Sequence, residues 1–348
     1  MEERVKYTGK DYLNKVLGGT ASGIVIGLIA NAILGSVFKA LIPYGSIFVL
    51  LSSVVTIMQF ITPAIIGVLV ATQFKMNGME SVIVGAAAFL GSGAYKVTEA
   101  GVQLVGIGDL INVMLVSAIA VFVTRLLQSR LGSLTLILMP IIVGAGVGTI
   151  GLIMLPYVGM ITSSIGEVIN SFTTLQPLLM VILISVAFSI LIISPISTVA
   201  IGIAIGVAGL GAGAAAVGVT ACTAILVIGS LRINQSGTTL AILLGAMKMM
   251  IPNLIKHPKI MIPVVMNAVV SGIGVYILTI HGTPQTAGFG IVGLVGPIQA
   301  FNMGTGLLNV ILAYFIIPFV GGFIIDRICN KFLHIYEDEI FKFIPASN

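Results

Sequence analysis

The chain has 348 residues, 58% of them hydrophobic and 8% charged, with 16 Lys and Arg against 11 Asp and Glu for a formal net charge of +5. A soluble domain carries roughly 25% charged residues and needs a charged shell, so this composition excludes a soluble globular protein. The apolar runs are too long and too continuous for an outer-membrane barrel, whose strands alternate apolar and polar over about ten residues.

Taken in chain order, Met1 to Lys15 is amphipathic and of mixed charge, with Arg4, Lys6, Lys10, Asp11 and Lys15 and no small-residue cleavage site. It reads as a cytoplasmic amphipathic helix over 1–17 that continues into the first span. Hydropathy and the charged or Pro/Gly ends of the apolar runs then predict an all-α polytopic membrane protein of about ten transmembrane helices. They fall at 18–38, 46–72, 81–95, 104–124, 134–155, 177–194, 197–217, 236–255, 260–280 and 304–325. Charge placement agrees, since Glu167 is the only charged residue from Leu131 through Leu231 and none lies from Ile260 through Ile325. Two apolar stretches, 218–233 and 284–303, are too short or too rich in Gly and Pro for full spans. They are expected as re-entrant hairpins, which survive at membrane depth only when buried in protein or lining a cavity.

The basic residues set the orientation. Those of the N-terminus, Lys75, Arg125, Arg130, Lys256, Lys259 and the tail with Arg327, Lys331 and Lys342 fall on one side if ten helices cross, which places both termini in the cytoplasm. Lys39, Lys96 and Arg232 are exceptions. At span ends these charges read as topology signals and lipid-headgroup contacts, so no nucleic-acid partner is expected. Gly-rich runs such as Gly202-x-x-x-Gly206 and Gly209-x-Gly211-x-Gly213 predict close helix packing. Pro63, Pro140, Pro195 and Pro318 predict kinks or breaks.

The chain also matches itself at about half its length. Gly91, Gly93, Tyr95, Thr98 and Gly101 align without gaps to Gly272, Gly274, Tyr276, Thr279 and Gly282, and Gly23 to Gly27 aligns to Gly202 to Gly206. This predicts two pseudo-repeats, 18–176 and 197–325, joined by a connecting span at 177–196 and followed by a cytoplasmic tail at 326–348. A binding site at the repeat interface is a common transporter construction.

Ionisable or hydrogen-bonding groups in an apolar chain are the first functional candidates. His281-Gly-Thr283-Pro-Gln285 ends a span, carries helix breakers, and leads to Gln299 and Asn302. Neutral hydroxyl and amide groups on backbone freed from helix bonding suit a polyhydroxylated ligand. Asn234 and Gln235 open the eighth span, and Lys96 and Glu99 occupy the corner that the repeat pairs with His281. Asn112 and Asn267 are read instead as interhelical hydrogen-bonding residues. No GxxxxGK[ST] loop, HExxH motif or CxxC pair occurs, and His257, His281 and His334 are scattered, so neither nucleotide hydrolysis, a metal nor a cofactor is expected.

The segment from His281 to Pro297, the stretch Asn234-Gln-Ser-Gly-Thr-Thr239 and the Gly-rich ten-helix pattern resemble the membrane subunit (EIIC) of the sugar phosphotransferase system. The resemblance is nearest to its stand-alone subgroup of clostridial toxin-regulator-type, PfoR-like membrane proteins. It implies a homodimeric permease for a sugar-like solute, working by alternating access, with a phosphoryl-carrier protein as partner in trans. The chain has no fused carrier domain and no clear copy of the Gly-Ile-Thr-Glu type motif of better-known relatives. A membrane-embedded ligand sensor or regulator without net transport therefore stands as the alternative.

Overall fold

The computed structural model describes residues 7–128 and 130–343. The first six residues of the expected 1–17 helix and residues 344–348 of the expected tail lie outside it. The elements are helices α1 (Gly9–Leu41), α2 (Ile47–Phe60), α3 (Thr62–Gln73) and α4 (Gly78–Leu90), strands β1 (Tyr95–Thr98) and β2 (Gly101–Leu104), then α5 (Leu110–Leu127), α6 (Thr135–Met139) and α7 (Gly148–Phe172). There follow α8 (Pro177–Ile192), α9 (Thr198–Ala204), α10 (Gly209–Ser230), α11 (Ser236–Leu243), α12 (Ile251–Lys256), α13 (Met261–Leu278), α14 (Val295–Asn302), α15 (Leu307–Ile311) and α16 (Ile317–Arg327).

Among the described residues, five helical stretches are long and apolar enough to cross a membrane: Leu110–Leu127, Thr135–Phe172, Gly209–Ser230, Pro258–Leu278 and Leu307–Phe332. The pair α2 and α3, bent by 45°, makes a sixth, and α4 and α8 are shorter apolar helices. The protein is thus all-α and polytopic, with a two-stranded hairpin between α4 and α5 where the hydropathy pattern predicts no strand. Ten separate full-length spans are not borne out among the described residues.

Three departures have physical causes. The expected span at 197–217 and hairpin at 218–233 are instead short α9, a break, and one continuous 22-residue helix, α10. Gly206 and Gly209 take φ of 62° and 58°, which stops one helix and starts the next. No comparable breaker interrupts 210–230, and Gly218 stays helical while letting the Ser185 backbone approach. The expected span at 236–255 is likewise broken, at Gly245 with φ 127° and at a single 3₁₀ turn, Met247–Met250. The span at 81–95 ends early at Leu90, where the hairpin takes over.

The prolines behave as read. Pro63 follows the bend between α2 and α3, Pro140 opens a π-helical turn at Pro140–Val147, and Pro195 lies between α8 and α9. Pro318 follows a second π-helical turn at Leu312–Ile316. A missing N–H and a ring clash force each irregularity.

The chain divides into two compact units, 7–27 with 57–158 and 28–56 with 159–343. In the first, α3, α4 and α5 pack together, and α1 lies on α3 through Gly19, Gly23 and Gly27. A Cβ at these positions would come within 2.5 Å of Val70 Cα, 2.6 Å of Ile66 Cα and 2.2 Å of Thr62 Oγ1. Small residues every fourth position permit backbone contact where no hydrophobic force drives helices together. Buried Glu80 accepts from Gln128 Nε2 at 2.5 Å and closes a capping box with Asn77, joining the start of α4 to the end of α5. Asn112 donates from Nδ2 to the carbonyls of Gly91 (2.6 Å) and Gly151 (2.9 Å). Tyr12, which donates to the Ala118 carbonyl, has its phenol pushed up to about 12 by burial.

In the second unit α10 is the central helix, almost wholly enclosed by α8, α13 and α16. Ser185 Oγ donates to the Ala268 carbonyl at 2.8 Å. Asn267 Nδ2 reaches the carbonyls of Ala221 (2.9 Å) and Pro318 (3.0 Å). Both asparagines therefore make the interhelical bonds expected of them.

The proposed repeat corners differ locally. Tyr95 begins a strand, whereas Tyr276, its aligned counterpart, lies inside α13.

Candidate functional site

Within the second unit, α13 ends at Thr279 in a left-handed conformation (φ 52°), and the chain turns back against the start of α10. Gly209 and Gly282 exchange two backbone hydrogen bonds of 3.0 Å. One turn along α10, a Cβ on Gly213 would stand 2.0 Å from the Ile280 carbonyl oxygen, so only glycine admits the corner. From Thr283 to Leu294 the backbone is a series of turns, after which α14 begins. Thr283 and Thr286 hold the first turn through their hydroxyls, and Thr283 accepts from the N–H groups of Thr286 and Ala287 at 3.0 Å. Thr198 Oγ1 on α9 donates to the Gly288 carbonyl at 2.8 Å, which pins the break after α8 to this turn.

The expectation of a full re-entrant hairpin at 284–303 thus becomes a turn segment followed by one eight-residue helix. Its buried part, Thr286 to Gly288, faces protein, as irregular backbone in a membrane chain must.

Most sequence candidates on this segment keep their polar groups available. Among the described residues the side chains of His281 and Gln299, both half-buried, and of exposed Gln285 and Asn302 have no hydrogen-bond partner, and the same holds for exposed Gln235 ahead of α11. Thr283 is committed to its own turn.

Asn234 belongs to a different arrangement. It donates from Nδ2 to Ser230 Oγ (3.0 Å) and to the Phe341 carbonyl (2.7 Å), and accepts from the Phe343 N–H at 2.8 Å. Asn253 donates to the carbonyls of Ile340 and Lys342, both at 2.8 Å. Arg232 pairs with fully buried Asp326 and, at 2.6 Å, with Asp338, which also accepts from Asn330. Tyr336 donates to Asp326 at 3.0 Å, and burial together with that carboxylate pushes its phenol far above the usual range, so it remains a donor. Phe341 packs where a Cβ on Gly229 would fall 2.4 Å from its ring. Residues 336–343 of the expected cytoplasmic tail are therefore a docked segment.

Lys96 and Glu99 lie in the first unit, on and beside the hairpin in which Lys96 faces Gln103. Both are exposed and no ion pair joins them.

Lys248, inside the span expected at 236–255, is not among the residues that the sequence singles out. It is 8% exposed, and its Nζ donates to the carbonyls of Ser194 and Ile196, the latter at 2.7 Å. A lysine within an apolar span is the sequence signal that marks it. Among the described residues no group of three His, Cys, Asp or Glu side chains is arranged to hold a metal ion.

The family profile described as "Phosphotransferase system, EIIC" matches residues 14–343. No curated protein and no solved structure matches the chain.

Proposed function

The chain belongs to the phosphotransferase system EIIC family, and from that premise we propose that it carries a small, sugar-like solute across the membrane by alternating access. Family membership and the apolar helices make it a multi-pass membrane component of sugar phosphotransferase transport. The proposal adds a mechanism and a site. The observation that carries it is the segment from Thr279 to Asn302, which leaves the helix beside the start of α10 and presents His281, Gln285, Gln299 and Asn302 with unused hydrogen-bonding groups. Amides and an imidazole of this kind suit vicinal hydroxyls, and discontinuous helices at repeat interfaces are where transporters bind solute.

The reading includes both termini in the cytoplasm, a PfoR-like relationship within the family, two pseudo-repeats, a homodimer, and a separate phosphoryl-carrier protein in trans. Uptake of labelled candidate sugars into proteoliposomes tests the site, with His281→Ala and Gln285→Ala measured beside the parent. Loss of uptake by folded variants supports it, and full uptake by both overturns it. Ligand-induced stabilisation of the parent without counterflow would instead favour a membrane sensor.

A further inference from the structure

The break between α8 and α9 carries a second, unassigned feature. α8 ends at Ile192, and the backbone from Ile193 to Ser197 is not helical. Ser194 Oγ accepts from the Ile196 N–H at 3.2 Å, and no backbone N–H among the described residues bonds to the carbonyls of Ser194 or Ile196. Both carbonyls turn to one group, the ammonium of Lys248. Among the described residues no carboxylate pairs with that ammonium.

A nearly buried cation stabilised by backbone carbonyls, two residues beyond a helix C-terminus, has the chemistry of an ion site. Carbonyls of unwound segments and the partially negative C-terminal ends of half-helices are what coordinate sodium ions or protons in transporters with broken helices. We propose that the 192–197 break is a monovalent-cation site which the chain fills itself, with Lys248 as its tethered occupant. Ser197 and Thr198 follow directly, and the bond from Thr198 Oγ1 to the Gly288 carbonyl carries the position of the break to the turn segment after His281. Filling the site fixes that turn without a free ion. The inference concerns the break alone and does not depend on what the protein transports.

The test is chemical rescue read by thermal unfolding of the full chain in detergent, at constant ionic strength, with choline as the inert cation. The parent should unfold at the same temperature in choline, sodium, potassium or ethylammonium chloride. Lys248→Ala should unfold at a lower temperature in choline and recover in ethylammonium, the midpoint rising with the logarithm of its concentration as for any ligand of the native state. Lys248→Met, which keeps the stem and the fold if the alanine variant fails to express, should recover in ammonium or sodium chloride. The proposal is overturned if neither variant responds to any cation, for then the amine is only a hydrogen-bonding prop. It is equally overturned if the parent responds as the variants do, for then the site is not filled by Lys248.

Discussion

The second unit holds two polar regions that look alike in sequence and differ in what their hydrogen bonds do. Arg232, Asn234 and Asn253 spend theirs on the C-terminal segment: a buried carboxylate at Asp326, a second at Asp338, and the backbone from Ile340 to Phe343. His281, Gln285, Gln299 and Asn302 spend none on the protein. Polarity in an apolar chain therefore marks both a clasp and a candidate binding site, and only the account of partners separates them. A network bonded within the protein, as the clasp is apart from the buried Asn253 Oδ1, fixes structure, whereas unpaired and partly exposed groups have capacity for a ligand.

The contrast breaks most sharply at the clasp. Replacing Arg232 with alanine leaves Asp326 buried without its cation, and removing one partner of such a pair costs about 3–5 kcal/mol. A large fall in the unfolding midpoint in detergent is expected, with uptake lost only in proportion to unfolded protein. If midpoints hold and uptake vanishes, the clasp is part of the site and the distinction fails.

Gly213→Ala attacks the junction of the candidate segment. Its Cβ would overlap the Ile280 carbonyl, and an overpacking penalty of about 1–3 kcal/mol is expected. Because the strain falls on the corner that carries His281, uptake should drop by more than the stability loss explains. A stable variant with full uptake would show that the corner's position is irrelevant to transport.

These regions were not equally legible in the sequence. The four prolines at 63, 140, 195 and 318 and the helix-bridging Asn112 and Asn267 were readable because their effects are local or forced by burial. The continuity of α10 was not, since Gly and Ala run through the whole of 202–224 and nothing local shows that the helix breaks at Gly206 and Gly209, where φ is positive, and not at Gly218. The clasp was hidden for another reason: Arg232 meets partners 94 and 106 residues away, a pairing that no local pattern records. Asn234 meets partners just as remote in sequence, and its local context alone marks it as a ligand group. The aligned corners around Tyr95 and Tyr276 fold as strand and helix, so a shared string of glycines did not predict shared geometry.

For the uncommitted groups the expected effects are smaller and of another kind. A hydrogen bond to a neutral partner is worth about 0.5–1.5 kcal/mol, which converts to roughly a two- to tenfold loss. His281→Ala and Gln285→Ala should each lower uptake efficiency by that factor while leaving the unfolding midpoint unchanged, because neither side chain bonds to the protein. A fall in midpoint without a fall in uptake would reverse their assignment and place them with the clasp.

The smallest effect is expected in the first unit. Lys96 and Glu99 sit on an exposed hairpin, and surface substitutions of this type usually change stability by less than about 0.5 kcal/mol. Lys96→Ala and Glu99→Ala should match the parent in midpoint and in uptake at saturating and limiting solute. Exposure permits a second outcome with a distinct signature. If either variant raises the half-saturating concentration while leaving the midpoint untouched, the hairpin contributes to solute capture, and uncommitted charge there has the same meaning as the uncommitted amides of the 281–302 segment. Equal behaviour of parent and variants would confine that meaning to polar groups placed beside broken helices, where the backbone as well as the side chain is free to bind.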